Sequence, residues 1–140
     1  MLTLIASAAM LSSVTPLHQG DVTHGANSYQ TTYETAATVT MQQVEPRFAT
    51  RAAIPVCRWQ AELVVNRSVA KGSGKVAALS KPIHRIAPLS GSHAGSCTAA
   101  RSQIEAQVSR HEQAASVSAL TAARQDRSVL AAELDGLRAL

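Results

Sequence analysis

The stretch Cys57-Arg58-Trp59-Gln60-Ala61-Glu62-Leu63-Val64-Val65-Asn66-Arg67-Ser68-Val69 decides how this chain is read. Cys57, Trp59, Ala61, Leu63, Val65 and Val69 alternate with Arg58, Gln60, Glu62, Asn66 and Ser68, and only Val64 and Arg67 interrupt. Successive side chains of a strand point to opposite faces, so this period of two is that of a half-buried antiparallel strand. Lys71-Gly72-Ser73-Gly74-Lys75 then breaks the pattern with two glycines, the composition of a turn. Beyond it Val76 to Leu89 is again extended in character but carries Pro82 and Pro88. Proline has no N–H for a ladder, which puts this returning strand at an edge or makes it irregular. Ser90 to Ser96 reads as a loop that delivers Cys97.

Downstream, Thr98 to Leu140 holds no proline and one glycine, Gly136, among Ala, Gln, Arg, Glu and Leu, all of which favour helix. Two starts compete, Thr98 as a cap and Ser102-Gln103-Ile104-Glu105 with capping-box spacing. At about 100° per residue, Ile104, Val108, His111, Ala115 and Ala122 share a face, while Leu130, Leu134 and Leu137 lie on a rotated stripe. One bent helix or two helices satisfy that, and Ser116-Val117-Ser118 is the expected break. The expected fold is therefore α+β: a small β-hairpin packed on a long C-terminal helix (ββα), covering residues 56–140.

Upstream the signals weaken. Residues 21–55 read as a Thr-rich linker, because Thr23, Thr31, Thr32, Thr35, Thr38, Thr40 and Thr50 stand there without a sustained period of two or 3.6. Thr35 to Met41 is compatible with a short strand, but nothing bounds it as half of a hairpin. Met1 to Val14 is uncharged and mostly apolar, then Pro16 follows, so residues 1–20 read as a leader of the secretory kind. The N-terminal region is thus expected to be largely disordered.

Composition bounds the rest. Of the 140 residues, 26 are Ala, whereas Leu, Ile, Val and Phe together number 30, a weak supply of core-forming side chains for one small domain. No apolar run reaches the roughly 18 residues of a membrane span. Cys57 and Cys97 are the only cysteines and are not in a Cys-x-x-Cys pair, so one disulfide is the economical reading. Closing that loop would stabilise the fold by about 4 kcal/mol. The framework Cys57-Arg58-Trp59, Ser90-Gly91-Ser92, Gly95-Ser96-Cys97 and Leu130-Ala131-Ala132-Glu133-Leu134 resembles small uncharacterised exported proteins of bacteria. That resemblance implies export to the periplasm or beyond the cell and a disulfide, and it brings no activity.

Charge is sorted along the chain. Residues 1–50 carry net −2, residues 51–101 net +7 and residues 102–140 net −1. Arg58, Arg67, Lys71, Lys75, Lys81 and Arg85 are the expected basic surface, suited to an anionic envelope component or an acidic protein. Nucleic acid is not the expected partner, since Trp59 is the sole aromatic in the basic segment and shares the apolar phase. Gly72-Ser73-Gly74-Lys75 lacks the glycine and hydroxyl positions of a phosphate loop, having Val69 and Val76 there. Ser92-His93 has no nucleophile elbow and no nearby acid, and His18, His24, His84, His93 and His111 show no metal-ligand spacing. The chain reads as a non-enzymatic binding protein without cofactor or metal. The alternative is a helix-mediated oligomerisation module working through Leu130, Leu134 and Leu137, its charge incidental.

Overall fold

The computed structural model describes residues 6–45 and 54–138. Five strands run in chain order as β1 (Ala6–His24), β2 (Asn27–Val44), β3 (Val56–Lys71), β4 (Gly74–Lys75) and β5 (Lys81–Ala94), with a 3-10 turn at Ala77–Leu79 before β5. Helices α1 (Cys97–Ala114) and α2 (Ser116–Arg138) follow. The sheet is mostly antiparallel, ordered β1-β2-β3-β4, with β5 also paired to β3.

The expected hairpin is present, but it is only part of the sheet. Ala70 pairs with Lys75 and Lys71 with Gly74 across a turn whose Gly72 has φ 64°, a left-handed conformation open to glycine. The returning strand is interrupted, as its prolines foretell. Val76 N–H donates to the Val69 carbonyl, and Val69 N–H donates instead to the Ser80 hydroxyl, so the 3-10 turn bulges out of the ladder between them. Pro16, Pro82 and Pro88 all lie in β1 or β5, each of which pairs with a single strand.

A small hairpin on one long helix, with a disordered N-terminal region, is overturned by β1 and β2. Gly25, at φ 62°, turns these two long strands into a second hairpin. In β2 the buried positions are Thr31, Tyr33, Thr35, Ala37, Val39 and Met41, a strict period of two. Thr32, Thr38 and Thr40 stand in the opposite phase, so threonine on both faces hides the alternation from a hydropathy reading. Threonine is polar by hydropathy and β-branched by shape, and here shape prevails. Residues 1–5 of the expected leader and 46–53 of the expected linker lie outside the described residues.

The helical segment is two helices, divided at Ala115, one residue before the expected break. Neither expected cap starts α1. Ser96 does, accepting the Ala99 N–H on its hydroxyl oxygen at 3.1 Å, because β5 runs on to Ala94 through what reads as a loop.

The contacts divide the chain into two compact units. The first comprises Met1–Ser13, Ala37–Glu62 and Ala87–Ala114; the second Val14–Ala36, Leu63–Ile86 and Ala115–Leu140. In the first, the buried face of α1 is Cys97, Ala100, Ile104 and Val108, and the sheet supplies Ala37, Val39, Met41, Cys57, Trp59 and Ala61. Cys57 and Cys97 form a disulfide that ties the start of β3 to the first residue of α1. In the second, Val22, Val69, Leu79, Leu130 and Leu134 form one apolar cluster, with Tyr29 and Val76 packed against it.

The disulfide closes a loop with sequence separation 40, and removing it frees the unfolded chain by about 4 kcal/mol of conformational entropy. Urea unfolding of the Cys57→Ala/Cys97→Ala variant, followed by Trp59 fluorescence, is expected to show a loss of that order. A midpoint unchanged from the oxidised protein would contradict it.

Candidate functional site

Arg67 occupies the buried phase of β3, between Val65 and Val69, and is 1% exposed. Its expected place in a basic surface is therefore wrong. The residue that interrupts the hydropathy alternation keeps the geometric one. Its Nε donates to the Leu79 carbonyl at 2.8 Å, Nη1 to Asp126 Oδ2 at 2.8 Å, and Nη2 to Glu133 Oε2. Tyr33 OH donates to the same Asp126 oxygen at 2.8 Å, and Lys81 Nζ donates to the second Glu133 oxygen. Asp126 and Glu133 stand seven residues apart, two helical turns, and so project from one side of α2.

The network shifts Arg67, Glu133 and Tyr33. Burial opposes the Arg67 charge, yet the hydrogen bond and charge of Asp126, then those of Glu133, outweigh it and raise the guanidinium. Burial likewise opposes the Glu133 charge, but hydrogen bonds from Lys81 and Arg67 and their charges hold its carboxyl below the usual range. Tyr33 is pushed above the ordinary phenol range, first by burial and then by its bond to the Asp126 carboxylate. Such a cluster anchors α2; it offers little to a ligand because its central group is enclosed.

The other expected bases divide. Lys81 is half-exposed and engaged with Glu133. Arg58, Lys71, Lys75 and Arg85 are exposed. Lys71 and Lys75 flank the Gly72-Ser73 turn in the second unit, whereas Arg58 belongs to the first. Leu130 and Leu134, the expected assembly edge, are 0% and 2% exposed and belong to their unit's own core. Leu137 remains exposed.

Within the first unit a cavity of about 300 Å³ opens between β5 and α1, lined by Trp59, Leu89, Ser92, His93, Arg110 and His111 among others. Gly91 is pressed against the indole: a Cβ there would lie 3.0 Å from Trp59 Nε1 and Cζ2. The His93 ring lies within 13° of parallel to the indole at 6.4 Å between centroids, and its Nε2 is 3.4 Å from Gln107 Oε1. His111 Nε2 donates to the Ala87 carbonyl at 2.7 Å, which leaves Nδ1 as its other ring nitrogen. Trp59 Nε1 is buried without a hydrogen-bond partner. No carboxylate lines the cavity, so Ser92 and His93 have no acid beside them there. Among the described residues no three His, Cys, Asp or Glu side chains are grouped to hold a metal, and no helix is long and apolar enough to cross a membrane.

The sequence reading missed this cavity, having treated Ser92-His93 as loop and His111 as one of five scattered histidines. The one available signal was Gly91 between two serines in a segment paired back toward Trp59. No family model, curated protein or solved structure matches the chain.

Replacing Arg67 by Met leaves the Asp126 carboxylate buried without its cation, and is expected to cost about 3–5 kcal/mol in urea unfolding. Adding Asp126→Asn should restore part of that loss. The depressed Glu133 carboxyl contributes stability that is present above about pH 4.5, the ordinary carboxylate value, and lost as pH falls through its lower folded value. Glu133→Gln should flatten that acid limb in unfolding curves recorded across the range; an unchanged limb would exclude the ion pairs as its source.

Proposed function

We propose that this chain is an exported, disulfide-stapled, non-enzymatic binding protein whose basic turn engages an anionic envelope component. The observation carrying this reading is the sorting of bases in the second unit. Arg67 and Lys81 are engaged by Asp126 and Glu133, while Lys71 and Lys75 flank an exposed turn that contains no acid, and Arg85 is exposed as well. Charges left unneutralised on a narrow projection attract polyanions over the screening length, about 8 Å at physiological salt. Arg67 drops out of the contact set, and Lys71, Lys75 and Arg85 carry it.

Export is supported by the disulfide, since such bonds persist in oxidising compartments. The helix-assembly alternative loses ground because Leu130 and Leu134 are occupied within their own unit.

Sedimentation with vesicles containing phosphatidylglycerol is expected to carry the protein down at low salt and to weaken steeply as salt rises. Lys71→Glu/Lys75→Glu should abolish the binding without altering thermal unfolding, both side chains being exposed. Binding unchanged by the double variant would refute the role of the turn, and capture of an acidic protein in place of the vesicles would move the partner to that class. Intact mass from cell fractions tests export separately. A shortened chain in the exported fraction, gaining two hydrogens on reduction, is the expected result, and full-length cytoplasmic protein with free thiols would remove the export claim.

A further inference from the structure

We infer that the cavity at Trp59, His93 and Arg110 in the first unit is a binding site for a small organic carboxylate. Two of the polar groups around it are donors without a partner. Trp59 Nε1–H is buried and unpartnered, Arg110 is exposed on α1 with no partner among the described residues, and Ser90 and Ser92 add hydroxyls. An indole N–H and a guanidinium only donate, and neither has an acceptor among the described residues, so a ligand that brings acceptor oxygens answers both. No carboxylate of the protein lines the cavity; Glu112, which follows the lining residue His111 in α1 and keeps a buried, unpartnered Oε1, stands outside the lining. The planar fork of arginine matches two carboxylate oxygens at once.

The walls call for an organic body behind that charge. Trp59 and Leu89 form apolar surface, and about 300 Å³ is at the small end of ligand cavities. Gly91 matters here because any side chain would push on the indole edge, with a Cβ at 3.0 Å from Nε1. A metal ion is the poorer occupant. Only two imidazoles face the cavity, His111 has already committed Nε2 to the Ala87 carbonyl, and no acid joins them. This site does not depend on the basic turn of the proposed function, which belongs to the other unit.

Trp59 is the sole tryptophan and therefore its own reporter. Full-length oxidised protein is titrated with benzoate, with benzamide as the uncharged counterpart, and with inorganic phosphate, reading tryptophan fluorescence. Benzoate is expected to give a saturable change, with benzamide and phosphate each weaker by about tenfold or more. Arg110→Gln should weaken benzoate by about tenfold, Arg110→Lys by less, and Lys71→Gln/Lys75→Gln not at all. Arg110 is exposed and contributes nothing to the core, so its variants are expected to unfold at the temperature of the parent. A linear, unsaturable response to benzoate would overturn the proposal, as would an Arg110→Gln titration equal to that of the parent. Benzamide as tight as benzoate would show that charge is not read, and phosphate as tight would reassign the site to inorganic oxyanions.

Discussion

A guanidinium that is 1% exposed has to be paired, and much of the second unit is the consequence of satisfying Arg67. Its Nε needs the Leu79 carbonyl, which the 3-10 turn at Ala77–Leu79 presents while the same turn carries the Leu79 side chain into the apolar cluster. Its two terminal nitrogens need Asp126 and Glu133, which fixes the face of α2 turned toward the sheet. Leu130 lies between those acids in sequence and Leu134 just after them, so the rotation that satisfies the charges also buries the leucines. Tyr33 closes the set from β2. Because a slip of one residue sends every strand side chain to the other face, the cluster also opposes misregistration of β3.

The first unit reaches order by a covalent route. The buried face of α1 is small, with two of its four members Cys97 and Ala100, and an apolar stripe of that size stabilises a helix weakly. The disulfide compensates by holding the first residue of α1 to β3, and Ser96 and Gln43 receive the N–H groups that the helix start leaves unpaired. Small side chains also leave room. With Gly91 against the indole and Ser92 and His93 beyond it, β5 and α1 do not close over Trp59, and the cavity results.

The two sites differ in what holds their charge. Asp126 and Glu133 are committed to Arg67 and Lys81, so the network has few free valences and works as structure. Around Trp59 the charged group is Arg110, which has no acid near it in the cavity lining. The same contrast separates Lys81 from Lys71 and Lys75 on the hairpin. Pairing with α2, more than position in the sequence, decides which bases remain available to a partner.

Local pattern alone determined β3, the turn at Gly72-Ser73, the edge character of the strand bearing Pro82 and Pro88, the helical C-terminal segment with its break, and the pairing of Cys57 with Cys97. Each rests on a nearest-neighbour property: side-chain alternation, a glycine turn, a missing N–H, helix propensity, or the absence of any other cysteine. Tertiary structure decided what such properties do not encode. Threonine fits either face of a strand, so β2 acquired its buried side only when one face of it was covered, as where Tyr33 meets Asp126 of α2. Arginine reads as surface until Asp126 and Glu133, 59 and 66 residues away, arrive to neutralise it. Trp59, Gly91 and Arg110 become one cavity only when β5 returns along β3 and α1 packs beside them. Burial of a polar group is a property of its partners, and these partners are distant in the chain.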